Sequence, residues 1–132
     1  MKFLVAIGSF FFTFSSSGQE LQDCRLLQAS VESSHFKNRF YLCQDSRSIY
    51  LLDTLKSFAI CNFRNVSNNE VRYVHSLEDF DRKNVIEIYR IDERKDLVTI
   101  YFHRPSTGAV LILKLKPRKK KVEVVGYESG AF

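Results

Sequence analysis

The chain has 132 residues, 45% of them hydrophobic and 27% charged, with a formal charge of +5 and three cysteines. That length supports one domain with a modest core and excludes a multidomain assembly. There is no Cys-x-x-Cys or Cys–His cluster, so no metal site is expected, and no internal repeat or low-complexity tract is present.

The N-terminus has the pattern of a secretory signal peptide over residues 1–18. Lys2 is the only charge before Glu20, Phe3 to Phe14 is apolar but too short to span a bilayer, and Ser15-Ser16-Ser17-Gly18 supplies small residues for cleavage after Ser17 or Gly18. No later apolar run is long enough to span a membrane, so residues 19–132 are expected as a soluble, secreted domain. Cys24, Cys43 and Cys61 all lie beyond the cleavage point. In an oxidising route an odd count means one disulfide and one leftover thiol, or an intermolecular bridge, and three single pairings are open.

Gln19 to Asn38 is polar and diluted by serines, which predicts an arm with at most a short strand or turn near Leu26. Arg39 to Gln44 alternates and is aromatic-rich, which predicts a strand ending near Cys43. Ser46 or Ser48 offers an N-cap. From Ile49 the residues Leu51, Leu52, Leu55, Phe58 and Ala59 recur at three and four, which predicts a helix ending near Cys61. Asn65-Val66-Ser67 is an N-glycosylation acceptor pattern in an Asn-rich loop.

The rest reads as β. Glu70 to His75 is a strand, with Val71, Tyr73 and His75 on one face, and an acidic loop follows over Ser76 to Lys83. Val85 to Ile91 sets Val85, Glu87, Tyr89 and Ile91 against Ile86, Ile88 and Arg90. Leu97 to His103 is β-branched and aromatic, Arg104 to Gly108 is a turn, and Ala109 to Leu115 alternates. Pro117 to Lys120 turns the chain and Lys121 to Tyr127 returns. The expected fold class is α+β, one α-helix packed on a mostly antiparallel sheet of four or five strands. The positive charge is concentrated late, in Lys114, Lys116, Arg118, Lys119, Lys120 and Lys121. This block fits an anionic partner or a solvated hairpin tip.

The order of these features, with Tyr41-Leu42-Cys43 and Cys61 around the expected helix, resembles the guanyl-specific fungal ribonucleases. It resembles more closely the RNase-like secreted effectors of powdery mildew fungi, which carry an aromatic-x-Cys motif near the mature N-terminus. Tyr73-Val74-His75 followed by Glu78-Asp79-Phe80 looks like the family's Tyr-Pro-His strand and its aromatic-acidic loop. Ile86 to Ile91 looks like the strand with the catalytic carboxylate, with one residue more than the usual spacing. Asp96 to Ile100 and Gly108 to Leu113 resemble the next two strands. The resemblance covers Arg39 to about Lys116 and implies a microbial ribonuclease-like fold.

Cleavage in that family needs a carboxylate base, a histidine beside it, an arginine on the phosphate and a second histidine as acid. Glu87 matches the base and His75 the first histidine. Leu97 stands at the arginine's place, and Leu113, or Lys114 with a one-residue slip, at the second histidine's. Losing the acid alone costs about 10²–10⁴-fold in rate. His75 and Glu87 are therefore expected as vestigial positions of a protein that is not an enzyme and needs no cofactor. The family's C-terminal cysteine is absent as well, and the expected bridge joins Cys24 to Cys43 or Cys61. The resemblance implies a secreted virulence or avirulence effector, translocated into the host plant cell. Its partners would be a plant immune receptor of the nucleotide-binding leucine-rich-repeat class, another host protein, or RNA, with no membrane partner and a monomeric state.

Candidate RNA-binding residues are Tyr73 and Tyr89, with Tyr41 and Tyr101 as further stacking groups, and Lys114, Lys116 and Lys119. The alternative for the tyrosines is packing in or beside the core. Two other functions are weighed beside this one. The first is an active guanyl-specific ribonuclease using His75, Glu87 and a recruited His103 or Lys114. The second is an unrelated secreted β-rich module that binds lipid or carbohydrate.

Overall fold

The computed structural model describes residues 22–40, 48–58, 60–63, 69–76 and 84–131. Helix α1 (Cys24–Glu32) starts at Asp23, whose carboxylate accepts the Arg25 backbone N–H at 2.9 Å, an N-cap bond that satisfies one of the first-turn amides. Its buried stripe is Leu26, Leu27, Ser30 and Val31. Ser30 belongs there because its hydroxyl donates to the Leu26 carbonyl at 2.7 Å, so no polar group is left unpaired. Ser33 ends α1, and its hydroxyl oxygen accepts the Phe36 N–H at 3.1 Å in the first turn of α2 (Ser34–Phe40). Phe36 and Phe40, four apart on one face, meet edge to face at 4.9 Å, and Phe36 meets Phe102 at 5.1 Å. Among the described residues no helix is long and apolar enough to cross a membrane.

Six strands follow: β1 (Ser48–Leu52), β2 (Glu70–Val74), β3 (Val85–Arg94), β4 (Leu97–Arg104), β5 (Ala109–Pro117) and β6 (Val122–Ala131). They form one sheet in the order β2-β1-β3-β4-β5-β6. β1 runs parallel to β2 and to β3, and β3 through β6 form an antiparallel meander. The two helices lie against β5 and β6. Between the layers the core gathers Leu26, Leu27, Val31, Phe36 and Phe40 with Ile100, Phe102, Leu111, Leu113 and Leu115. The expected turn at Arg104 to Gly108 is present, closed by the Gly108 N–H on the Arg104 carbonyl at 2.8 Å, with Gly108 at φ 76°.

The structure corrects the expected fold class. The molecule is predominantly β, with two short helices, and a single helix across the sheet is not its pattern. The segment expected as the helix, Ile49 to Cys61, is strand β1 followed by a turn. β1 is flanked on both edges, and Ile49, Leu51 and Leu52 are all buried. A strand covered on both faces shows a continuous apolar run, and Leu51, Leu52, Leu55 and Phe58 reproduced helical spacing by coincidence. Leu55 is 51% exposed, where the helix would have buried it. Gln19 to Asn38, expected as an arm, holds α1 and most of α2. Arg39 and Phe40, expected to begin a strand, end α2, and the rest of that segment lies outside the described residues.

The disulfide joins Cys24 at the start of α1 to Cys61 in the connection between β1 and β2, with Cα atoms 5.7 Å apart and a sequence separation of 37. A closed loop of that size contributes about 4 kcal/mol in the chain-entropy account. It works beside the Gln22 N–H donating to the Ser57 carbonyl at 2.8 Å, which pairs the same two segments. Cys43 lies outside the described residues.

Candidate functional site

The sheet face away from the helices carries most of the polar chemistry. In an antiparallel ladder, residues directly opposite one another share a face. Glu87 is opposite His103, Arg90 opposite Tyr101, and Asp92 opposite Thr99. Thr99 then opposes Lys114, and Tyr101 opposes Ile112. A bulge between Ile88 and Arg90 leaves Tyr89 as the extra residue of β3. The alternation of the strand therefore changes phase: Arg90 joins the face of Glu87, and Ile91 turns to the core, where the sequence pattern had placed them the other way round.

The centre of this face is Tyr101. The Arg90 guanidinium sits over its ring at 5.0 Å, and the Tyr89 ring is 5.7 Å away. Its hydroxyl donates to Asp92 Oδ2 at 3.1 Å, and Arg90 Nη2 reaches the same oxygen at 3.1 Å. The hydrogen bond from Arg90 holds the Asp92 carboxyl below the ordinary carboxylate range. Burial, and then the bond to Asp92, push the Tyr101 hydroxyl up, and burial pushes Tyr89 up. Beside Tyr101 opens a groove of about 370 Å³, floored by Thr99, Leu97 and Ile112 and rimmed by Arg94, Lys114 and Glu128.

Further along the face, His103 Nδ1 lies 3.9 Å from Glu87 Oε1, and the Tyr89 ring meets the His103 ring edge-on at 6.3 Å. The two side chains are 17% and 33% exposed, so they are partly screened from water. At 3.9 Å the two groups face each other beyond hydrogen-bond range. Among the described residues, no group of three or more His, Cys, Asp or Glu side chains is arranged to hold a metal ion.

His75 is elsewhere. The register puts Leu51 beside Tyr73 on one side and beside Ile86 on the other, so Tyr73 points to the same face as Ile86, the face opposite Glu87. The Tyr73 hydroxyl donates to Asp53 Oδ2 at 2.6 Å, and the Ser57 N–H donates to the same oxygen at 2.9 Å. His75 packs on Tyr73 at 5.1 Å, with Nε2 at 3.1 Å from the Tyr73 oxygen and 3.2 Å from the Phe58 carbonyl. Burial and the Asp53 carboxylate raise the Tyr73 hydroxyl far above its usual range. The function of this cluster is legible from its partners: it fixes the turn after β1 against β2.

The residues singled out from the sequence therefore separate. Glu87 and Tyr89 come together on the open face, with His103 and Tyr101. Tyr73 is 7% exposed and presents no free ring face. Lys114 Nζ lies 3.6 Å from Glu128, and Lys116 Nζ lies 3.8 Å from Asp96, so each is already opposed by a carboxylate. Lys119 stands exposed in the turn between β5 and β6. Tyr41 and Asn65 lie outside the described residues. Sequence reasoning missed Arg90 and Asp92 as members of the face. Two opposite charges two apart in a strand were the available signal. Comparison of the chain with protein-family models, with curated proteins and with solved structures finds no match in any of the three.

Proposed function

We propose that the chain is a secreted effector of the kind its leader and its Tyr41-Leu42-Cys43 motif suggest, and that it acts in plant host cells by binding a host protein or RNA, without catalysis. The observation that carries the non-catalytic part is the placement of His75 and Glu87 on opposite faces of the sheet. A base and its assisting histidine must both reach one phosphodiester, each within hydrogen-bond range of the atom it serves. A sheet separates these two. The binding part is supported by the open face, where Tyr101, Arg90 and Arg94, of residue types that dominate interface energetics, line a groove among paired charges. Recognition by a plant immune receptor remains part of this reading and rests on the resemblance alone.

The test is a denaturing gel of end-labelled, guanine-containing single-stranded RNA incubated with the purified protein, run beside a host-cell death assay. The expected result is intact RNA and a cell-death response unchanged in His75→Ala and Glu87→Ala. Cleavage after guanine that disappears in either variant would overturn the proposal.

One observation favours a second reading, a ribonuclease in which His103 has been recruited. That is the approach of His103 to Glu87 at 3.9 Å. The family's arginine is matched in sequence by Leu97, which opposes Arg94 at the far end of β4 from His103 and supplies no charge to the pair. In the same gel it requires cleavage that is lost in His103→Ala and in Glu87→Ala but retained in His75→Ala.

A further inference from the structure

We infer that the end of the sheet formed by the β3–β4 and β5–β6 turns is a docking surface for an anionic lipid membrane. The register brings these turns together. Arg94 opposes Leu97 at the first turn, Pro117 opposes Val122 at the second, and the Lys116–Asp96 pair at 3.8 Å ties one to the other. Arg25 on α1 holds the second turn from the helix side, donating to the Arg118 and Lys119 carbonyls at 3.3 and 3.4 Å. The surface is thus built on two turns that join four strands, braced by a helix, and its shape does not depend on a free tail.

Once the ion pairs are set aside, the charge there is strongly positive: five cations stand against one exposed carboxylate, Glu93, which accepts from the Gln22 side-chain amide at 3.2 Å. Arg25 is held by Asp23 and Arg118 by Glu123, at 2.8 and 2.9 Å. Arg94, Lys95, Lys119, Lys120 and Lys121 are exposed and have no carboxylate within salt-bridge distance among the described residues; Arg94 and Lys121 act on Asp92 and Glu123 only at longer range. Five cations therefore project from two adjacent turns. A planar array of anionic headgroups meets such an end with several contacts at once. Each lysine or arginine near an anionic bilayer is worth about a fivefold gain in partitioning.

Single-stranded RNA fits this end less well. Its binding sites interleave cations with aromatic rings that stack on bases. Among the described residues, no aromatic residue lies on either of these two turns. The nearest candidate, Tyr101, is about 13 Å up strand β4. Along the open face beyond, the cations are interleaved with carboxylates, Arg90 with Asp92 and Lys114 with Glu128, which a chain of phosphates would have to approach. This inference goes beyond the proposed effector reading and stands or falls without it.

The test is co-sedimentation of the purified protein with vesicles of pure phosphatidylcholine and of phosphatidylcholine containing roughly one-third phosphatidylserine, beside gel shift of a labelled single-stranded RNA. The expected result is partitioning onto the anionic vesicles only. It should weaken as salt shortens the Debye length from about 10 Å at 0.1 M toward about 3 Å at 1 M. Lys119→Ser should reduce it about fivefold, and Lys95, Lys119, Lys120 and Lys121 changed together to Ser by more than about a hundredfold. Lys119→Arg should restore it. Lys37→Ser, on α2 toward the opposite end of the sheet, should leave it unchanged. The far-UV circular dichroism of every variant should match the parent. No excess on anionic vesicles, a fourfold variant that binds as the parent does, or an equal loss in Lys37→Ser would overturn the inference. RNA binding through the same lysines with vesicles left unbound would overturn it too, and assign the surface to nucleic acid.

Discussion

Asp53 shows how one residue fixes a turn. It is fully buried, and its Oδ2 accepts from Tyr73 and from the Ser57 N–H. A buried carboxylate that loses a donor bears the cost of its own desolvation. Tyr73→Phe should therefore lower unfolding stability by about 1–3 kcal/mol in a urea titration, and His75→Ala, which leaves the Asp53 contacts in place, should cost less. An equal or larger loss in His75→Ala would mean that the histidine, and not the tyrosine, holds the cluster. Asp23 governs a different property. The Arg25 backbone N–H holds its carboxyl below the usual carboxylate range, although its partial burial acts the other way. A folded-state pKa below the unfolded one means that the unfolded chain binds more protons in that window, so stability is present above the unfolded value and is lost as pH falls through the folded one. Asp92, Glu70 and Glu123 share this direction. The urea midpoint should hold steady above about pH 5 and decline below about pH 4, near the ordinary carboxylate values. Asp23→Asn, which keeps the N-cap but cannot ionise, should shallow that decline, whereas Asp23→Ala should cost about 1 kcal/mol at neutral pH as well.

Among the elements, β1 decides the architecture. It is the strand on which β2 and β3 both pair, with Ile49 and Leu51 buried on one face and Leu52 on the other. Leu51→Ala should cost about 2–5 kcal/mol, as a large-to-small change in a packed core does. Leu55→Ser should change stability by no more than about 0.5 kcal/mol, because Leu55 is exposed. In a helix carrying a Leu51/Leu55/Phe58 stripe the two changes would be comparably damaging, so the pair of urea midpoints separates the strand from the helix. The meander strands were legible in the sequence because their outer faces are polar and their inner faces apolar, as in β4, where Val98, Ile100 and Phe102 are buried and Thr99, Tyr101 and His103 are not. α1 was not legible because Ser30 stands in its buried stripe, satisfied by a bond to the Leu26 carbonyl that only a formed helix provides. The β3 bulge was not legible either, since an inserted residue leaves no mark on composition and reverses the alternation behind it.

At the scale of the molecule, one sheet and one core run through all the described elements, and the Cys24–Cys61 bridge adds a covalent tie between α1 and the connection from β1 to β2. The helices and the β4–β6 meander form one packed layer pair, and the β1–β2 crossover is tied back to α1 by the disulfide and by Gln22. Replacing both cysteines with serine should lower unfolding stability by about 2–4 kcal/mol. A change under about 0.5 kcal/mol would mean that the Gln22 pairing and the core hold the crossover without it. The sequence by itself determined the strands from Glu70 onward, their turns at Arg104 to Gly108 and near Lys119, and the concentration of positive charge at one turn. These follow from local rules: period-two alternation, turn-forming residues and uncompensated lysines. Tertiary structure alone decided that Ile49 to Leu52 is a parallel strand, that Cys61 is the partner of Cys24, and that His75 and Glu87 part to opposite faces while Glu87 meets His103. Each of these depends on which segments lie side by side, a pairing between residues distant in the chain that no local pattern encodes.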